Sequence, residues 1–97
     1  VNKAELVEKL AERLGTQGRE ARTIVDAIFD PDPGVGIIAA ELKTGSKVAI
    51  SGFGTFEVRE RKARQGRNPH TGEVLDIPAT RAPAFKPGRP LKDTLKD

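Results

Sequence analysis

Between positions 59 and 70 the chain carries five fixed cations, Arg59, Arg61, Lys62, Arg64 and Arg67, against one acid, Glu60. A guanidinium presents a planar fork of donors that meets a phosphate through two parallel hydrogen bonds, and a lysine meets it as a point charge. The run leads into Asn68-Pro69-His70-Thr71-Gly72, whose residue types are those of a turn. Cations on strands beside a turn make a basic ribbon, and a two-stranded ribbon fits a nucleic-acid groove. Each phosphate neutralised releases condensed counterions, so such binding weakens steeply with salt. Pro69 offers a separate chemistry. A rigid apolar wedge can enter between base pairs and unstack them, at a cost of roughly a few kcal/mol per step. Asn-Pro followed by Thr-Gly is also ordinary turn chemistry, and only the basic strands beside it favour the wedge. Charge alone likewise leaves a plainer reading open: a solvated ribbon whose cations block edge-to-edge aggregation.

The other candidates are weaker. Gly52 and Gly54 flank Phe53. They could bring backbone N–H groups close to a phosphate, or simply make a bend that turns Phe53 inward, and the bend is the stronger reading. His70 is the sole histidine and sits in the turn with no carboxylate motif around it, as a surface residue would. Asp30 and Asp32 bracket Pro31, but two acids without a third ligand make no convincing metal site. They are better read as caps of helix ends. No GxxxxGK[ST], HExxH or GxSxG pattern occurs. No enzymatic activity, cofactor or metal is therefore expected.

The elements that must carry the ribbon follow from local patterns. Asn2 with Glu5 three residues on forms a capping box. Leu6, Val7, Leu10, Ala11 and Leu14 then repeat at helical spacing until Gly15. After a short turn, with Thr16 or Gln17 as a mediocre cap, Ala21, Ile24, Val25, Ile28 and Phe29 make a second stripe. Pro31-Asp32-Pro33-Gly34 must interrupt that helix, since proline lacks the N–H and clashes with the preceding turn. A short third helix is expected over 37–42, ended by Gly45. Lys47-Val48-Ala49-Ile50 reads as a strand, Ser51-Gly52-Phe53-Gly54 as a tight corner, and residues 55–61 as an alternating strand. Val74-Leu75-Asp76-Ile77 begins the return, and Pro78 and Pro83 confine that return to an edge or to interrupted pairing. Pro90 can open a last helix over 91–95. The expected class is α+β: helices first, then a sheet with a long protruding hairpin, then a short helix.

Composition bounds what this arrangement can be. The chain has 97 residues, with four Phe and no Trp, Tyr or Cys. A core this small is marginal when many residues go into an exposed arm. Disulfides are excluded, so oligomerisation is the expected remedy. Phe29, Phe53, Phe56 and Phe85 lie outside the basic run and are read as core or dimer interface rather than base-stacking platforms. The net charge of +3 is unevenly spread, with −2 over residues 1–57 and +5 over residues 58–97. A basic element on a near-neutral body points to a polyanionic partner. No apolar run approaches the roughly 20 residues that span a membrane. The first residues lack the apolar core of a signal peptide. A soluble, cytoplasmic protein with no membrane partner is expected.

The run Gly52-Phe53-Gly54-Thr55-Phe56-Glu57-Val58-Arg59-Glu60-Arg61 closely resembles the HU and integration host factor family of bacterial nucleoid-associated proteins, and resembles HU most. So do Gly66-Arg67-Asn68-Pro69, Thr71-Gly72-Glu73, Pro83-Ala84-Phe85-Lys86-Pro87-Gly88 and the opening Asn2-Lys3-Ala4-Glu5-Leu6. The resemblance covers nearly the whole chain. It implies an intertwined homodimer, or a heterodimer with a paralogue, with a helical base, a β-sheet saddle and two arms around the minor groove of double-stranded DNA. It implies one domain over 1–97, with a helical dimerisation part at 1–45, sheet and arm at 46–88 and a C-terminal helix at 89–97. Pro69 becomes the intercalating wedge, and Arg59, Arg61, Arg64, Arg67 and Asn68 line the arm's contact. Lys3, Lys86 and Arg89 match basic positions that meet flanking DNA, and Phe53, Phe56 and Phe85 fall in the dimer core. The location implied is the nucleoid. One departure stands out: Pro31-Asp32-Pro33-Gly34-Val35-Gly36 is inserted into a second helix that the family runs through, splitting it with a loop of about six residues.

Three functions compete. HU-like binding reads DNA shape and deformability with little sequence preference. A sequence-preferring bender of the integration host factor type would bind one site far above random DNA at equal salt. A basic arm docking RNA or an acidic protein is the third, although RNA recognition usually offers exposed aromatics for stacking and this arm has none. The resemblance of residues 55–59 to HU favours the first.

Overall fold

Asn2 is extended and its Oδ1 accepts the Glu5 N–H at 2.9 Å, satisfying a helix donor that would otherwise have no partner. From that cap α1 runs over Lys3–Leu14 and stops at Gly15. The computed structural model describes residues 1–96 and divides into two compact units, with the boundary between Thr44 and Gly45. Asp97, the last residue of the C-terminal segment expected from the sequence, lies outside the described residues.

The first unit is helical. α2 occupies Gly18–Phe29, with Gln17 at its cap position making no side-chain hydrogen bond. Ala21 and Val25, one turn apart on its apolar stripe, are the buried apolar residues of the described chain. The rest of the stripe, Ile24, Ile28 and Phe29, stays exposed. The helix ends where the prolines require, and α3 follows over Ile37–Lys43. No continuous helix passes Pro33, as expected. The expected capping by the two aspartates is met in part: Asp30 stands at the C-cap of α2, its backbone N–H donating to the Asp26 carbonyl at 3.1 Å, while the side chains act otherwise. Asp30 Oδ1 accepts the Asp32 N–H, and Asp32 Oδ1 accepts the Gly34 N–H, both at 2.8 Å. These carboxylates fold back on the loop's own backbone, the usual Asx-turn behaviour, and do not cap α3. The loop closes tightly: a Cβ on Gly36 would lie 2.0 Å from the Asp30 carbonyl oxygen.

The second unit is built on an antiparallel sheet. β1 (Val48–Ile50), β2 (Gly54–Arg61) and β5 (Thr80–Pro87) pair in the order β1-β2-β5. β3 (Arg64–Arg67) and β4 (Val74–Ile77) form a separate two-stranded ribbon. Lys62-Ala63 and Pro78-Ala79 interrupt the two strands at the same level. Pro83 sits within β5 opposite Val58, and β5 is an edge strand, where a missing N–H costs no ladder bond on the open side. α4 spans Arg89–Thr94, opened by Gly88 with Pro90 in its first turn.

Candidate nucleic-acid interface

Alternation along a strand sends successive side chains to opposite faces. In β2 this sets Thr55, Glu57, Arg59 and Arg61 on one face and Phe56, Val58 and Glu60 on the other. The register with β5 extends both faces: Lys86 stands opposite Thr55, and Phe85 opposite Phe56. The sheet is therefore polar and basic on one side and largely apolar on the other.

Glu57 organises the polar face. It is 7% exposed, yet three cations surround its carboxylate. Lys86 Nζ lies 3.2 Å from Oε1, Arg59 Nε 3.7 Å from Oε1, and Lys47 Nζ 3.7 Å from Oε2. The hydrogen bond from Lys86 holds the Glu57 carboxyl below the usual glutamate range. Burial opposes this, and the charges of Lys86, Lys47 and Arg59 add to it. The cations themselves remain 60–69% exposed, so one carboxylate leaves all three open to an incoming anion. Sequence counting missed Glu57 and Lys47 because both lie outside the densest basic run. The alternation that puts Glu57 beside Arg59 and Arg61 was a usable signal for the acid; the approach of Lys47 and Lys86 depended on strand pairing.

On the apolar face Phe85 packs against Phe56 and Phe53, with ring centroids 4.8 and 5.7 Å apart. The glycines beside Phe53 serve this packing. Gly52 holds a backbone φ of +79°, which turns the corner, and a Cβ on Gly54 would sit 2.5 Å from the Phe85 ring. Phe53 does pack against Phe85, but 49% of it remains exposed, as does 40% of Phe85.

The β3–β4 ribbon carries the remaining cations. Arg64 pairs with Ile77 and Arg67 with Val74, which sends the two arginines to opposite faces of the ribbon. Lys62 is exposed in the interruption. At the far end, the Asn68 N–H donates to the Glu73 carbonyl at 2.9 Å, and the Gly72 N–H to the Asn68 carbonyl at 2.8 Å. Asn68 Oδ1 accepts the His70 N–H at 2.9 Å. Asn68 thus holds the turn with three of its polar groups, and its side-chain amide N–H groups are what it has left for a ligand. Pro69 is exposed at the tip. Two expected residues lie elsewhere. Lys3 opens α1 in the helical unit and pairs with Asp26. Arg89 is the exposed first residue of α4.

Among the described residues no cluster of three or more His, Asp or Glu side chains could hold a metal ion, and no helix is long and apolar enough to cross a membrane.

Comparison with known proteins gives this geometry a family. The chain is 55% identical over 96 residues to the SPbeta prophage-derived DNA-binding protein HU 2 of Bacillus subtilis, covering 99% of this chain and 98% of that one. It is 51% identical over 96 residues to DNA-binding protein HU of Geobacillus stearothermophilus, covering 99% of this chain and all of the relative. Among solved structures, Anabaena HU cocrystallised with DNA superposes with a TM-score of 0.81 at 41% identity, over 98% of this chain and 97% of that one. The family model described as bacterial DNA-binding protein matches residues 1–96, and with relatives this similar over nearly their whole length the chain belongs to that family, among the HU proteins.

Proposed function

We propose that this chain acts as a homodimer that binds and bends double-stranded DNA with little sequence preference, contributing to compaction of the nucleoid. The observation that carries the reading is the β3–β4 ribbon itself: a two-stranded arm with a cation on each face and an exposed proline at its tip. A groove presents phosphates on both walls, so a ribbon with one arginine per face contacts both strands at once. Pro69, rigid and lacking an N–H, enters a base step of the minor groove and kinks it. Arg59, Arg61, Lys62, Arg64, Arg67 and the Asn68 amide contact backbone and groove. Lys3, Lys86 and Arg89 meet the flanking duplex, together with Lys47. Gly52 and Gly54 act indirectly, through the corner and the Phe85 packing. Dimerisation is supported by the apolar surface left open: Phe53, Phe85, Phe29 and Ile28 are all exposed in the single chain.

The test is affinity for a short duplex, intact and nicked or gapped, across a salt series, with Pro69→Ala beside the wild type. Tight, steeply salt-dependent binding that prefers distorted DNA is expected, and Pro69→Ala should abolish mainly that preference. Weak binding indifferent to both salt and distortion would mean that the ribbon is only a charged, solvated hairpin.

A further inference from the structure

Pro31-Asp32-Pro33-Gly34-Val35-Gly36 lies between α2 and α3, and the proposed DNA binding makes no use of it. With these six residues taken out, Ile37 and Ile38 would follow Ile28 at the third and fourth positions, the spacing of one continuous apolar stripe. The segment interrupts what would otherwise run on as a single helix. It is stiff rather than slack. Two prolines fix φ, and Asp30 and Asp32 each accept a backbone N–H from within the loop. The Asp32 carbonyl accepts the N–H of Val35 at 2.9 Å and that of Gly36 at 2.8 Å. This folding brings Gly36 against the Asp30 backbone, with no room for a side chain between them. Consecutive Cα atoms are about 3.8 Å apart, so the neighbours of Gly36, Val35 and Ile37, are carried beside the end of α2, at Ile28 and Phe29. All four side chains are apolar and open in the single chain: Ile28 is 37% exposed, Phe29 53%, Val35 50% and Ile37 58%.

We infer that this loop selects the dimer partner: Val35 and Ile37 extend the apolar surface of Ile28 and Phe29, and the extended surface fits a second copy that carries the same loop. This rests on the proposed dimerisation. The occupant follows from continuity. Ile28 and Phe29 belong to the surface assigned to the dimer, and an apolar patch contiguous with them is covered by the same partner. In a twofold dimer both chains offer the same patch. At Asp30 the backbone leaves the helical conformation, with φ −59° and ψ 133°, so the chain turns off the axis of α2 there. A partner whose helix ran on without a break would present a different contour. It would leave Val35 and Ile37 in water or press its own helix into the stiff loop. Either outcome weakens the wrong pairing without any change to the right one, which is how an interface discriminates between similar partners.

The experiment mixes two preparations of the full chain that differ in a small mass tag, lets subunits exchange, and counts the dimers by native mass spectrometry. Wild type is mixed with wild type, and separately with a variant lacking residues 31–36, which joins Asp30 directly to Ile37. Random pairing of two copies puts about half of the dimers in the mixed form. Wild type with wild type should reach that share. Wild type with the deletion variant should leave the mixed form below about a tenth, while the deletion variant still dimerises with itself. A double variant, Val35→Ser with Ile37→Ser, keeps the loop and alters only side chains that are exposed in the single chain. It should raise the dimer dissociation constant about tenfold or more, at unchanged helical circular dichroism. Random mixing of wild type with the deletion variant overturns the inference and leaves dimerisation intact, as does an unchanged dissociation constant in the double variant. Should the deletion variant fail to fold, the double variant decides: the rise upholds the loop's place in the interface, and no change overturns it. A wild type that stays monomeric overturns dimerisation and this inference together.

Discussion

Glu57 is a buried acid on an otherwise basic sheet face, and its surroundings give it a measurable role. Lys86, Arg59 and Lys47 converge on it, and the hydrogen bond from Lys86 leads in lowering its pKa. A carboxyl whose folded pKa is depressed adds stability that is fully present above its unfolded value, near 4.3, and that disappears as pH falls through the folded value. Glu57→Gln should therefore melt below wild type at pH 7, and the gap should close as thermal denaturation is followed from about pH 4.3 downward. A melting difference that stays constant to pH 2.5 would mean that the ion pairs contribute nothing. The same substitution removes the carboxylate that three exposed cations share, so the salt slope for DNA should steepen.

The arm owes its shape to the interruption at Lys62-Ala63 and Pro78-Ala79, beyond which the ladder re-forms with only four pairs. A ribbon so short buries little and is not expected to be stable alone; it is tied to the sheet through the two interrupted strands and closed by Asn68 at the other end. With Arg64 and Arg67 on opposite faces, a ribbon seated in a groove uses both, whereas one lying flat on the duplex uses one. Arg64→Ala and Arg67→Ala should each flatten the salt slope by about 0.9 for each phosphate left unneutralised, or about 1.8 in a two-armed dimer. A full effect from one variant and none from the other would show the flat arrangement. The break after α2 is an element-scale feature as well. Two prolines stop the helix, two aspartates fold the loop, and Gly36 admits the Asp30 carbonyl where any side chain would collide.

The single chain leaves too little buried to stand alone. Among the described residues two small apolar side chains, Ala21 and Val25, are the buried apolar ones, while large ones such as Phe53, Phe29 and Ile37 remain half exposed. Exposed area of this kind is covered by a partner in a stable molecule. If the partner is a second copy, folding and association are coupled, and stability depends on protein concentration. The melting temperature should rise measurably with each tenfold increase in concentration. A melting temperature independent of concentration, with a monomeric mass by ultracentrifugation, would rule out coupled dimerisation.

Much of the chain was legible locally. The Asn2 cap, the Gly15 stop, the proline break, the glycine corner and the Asn68-Pro69 turn all rest on interactions spanning a few residues, so residue type alone specifies them. The basic run and its tip were legible for the same reason, as was the family that the central motif resembles. The ion-pair cluster required the tertiary structure. Lys47 and Lys86 reach Glu57 only because β1 and β5 flank β2 in one particular register. A slip of one residue would have sent their side chains to the other face. The division of the hairpin into two sheets likewise depended on which distant backbone groups paired, whereas the odd spacing of Arg64 and Arg67 puts them on opposite faces of any single strand that holds both. Capping and turn chemistry act through neighbours in sequence, whereas strand register is settled by the joint packing of segments that meet only in the folded molecule.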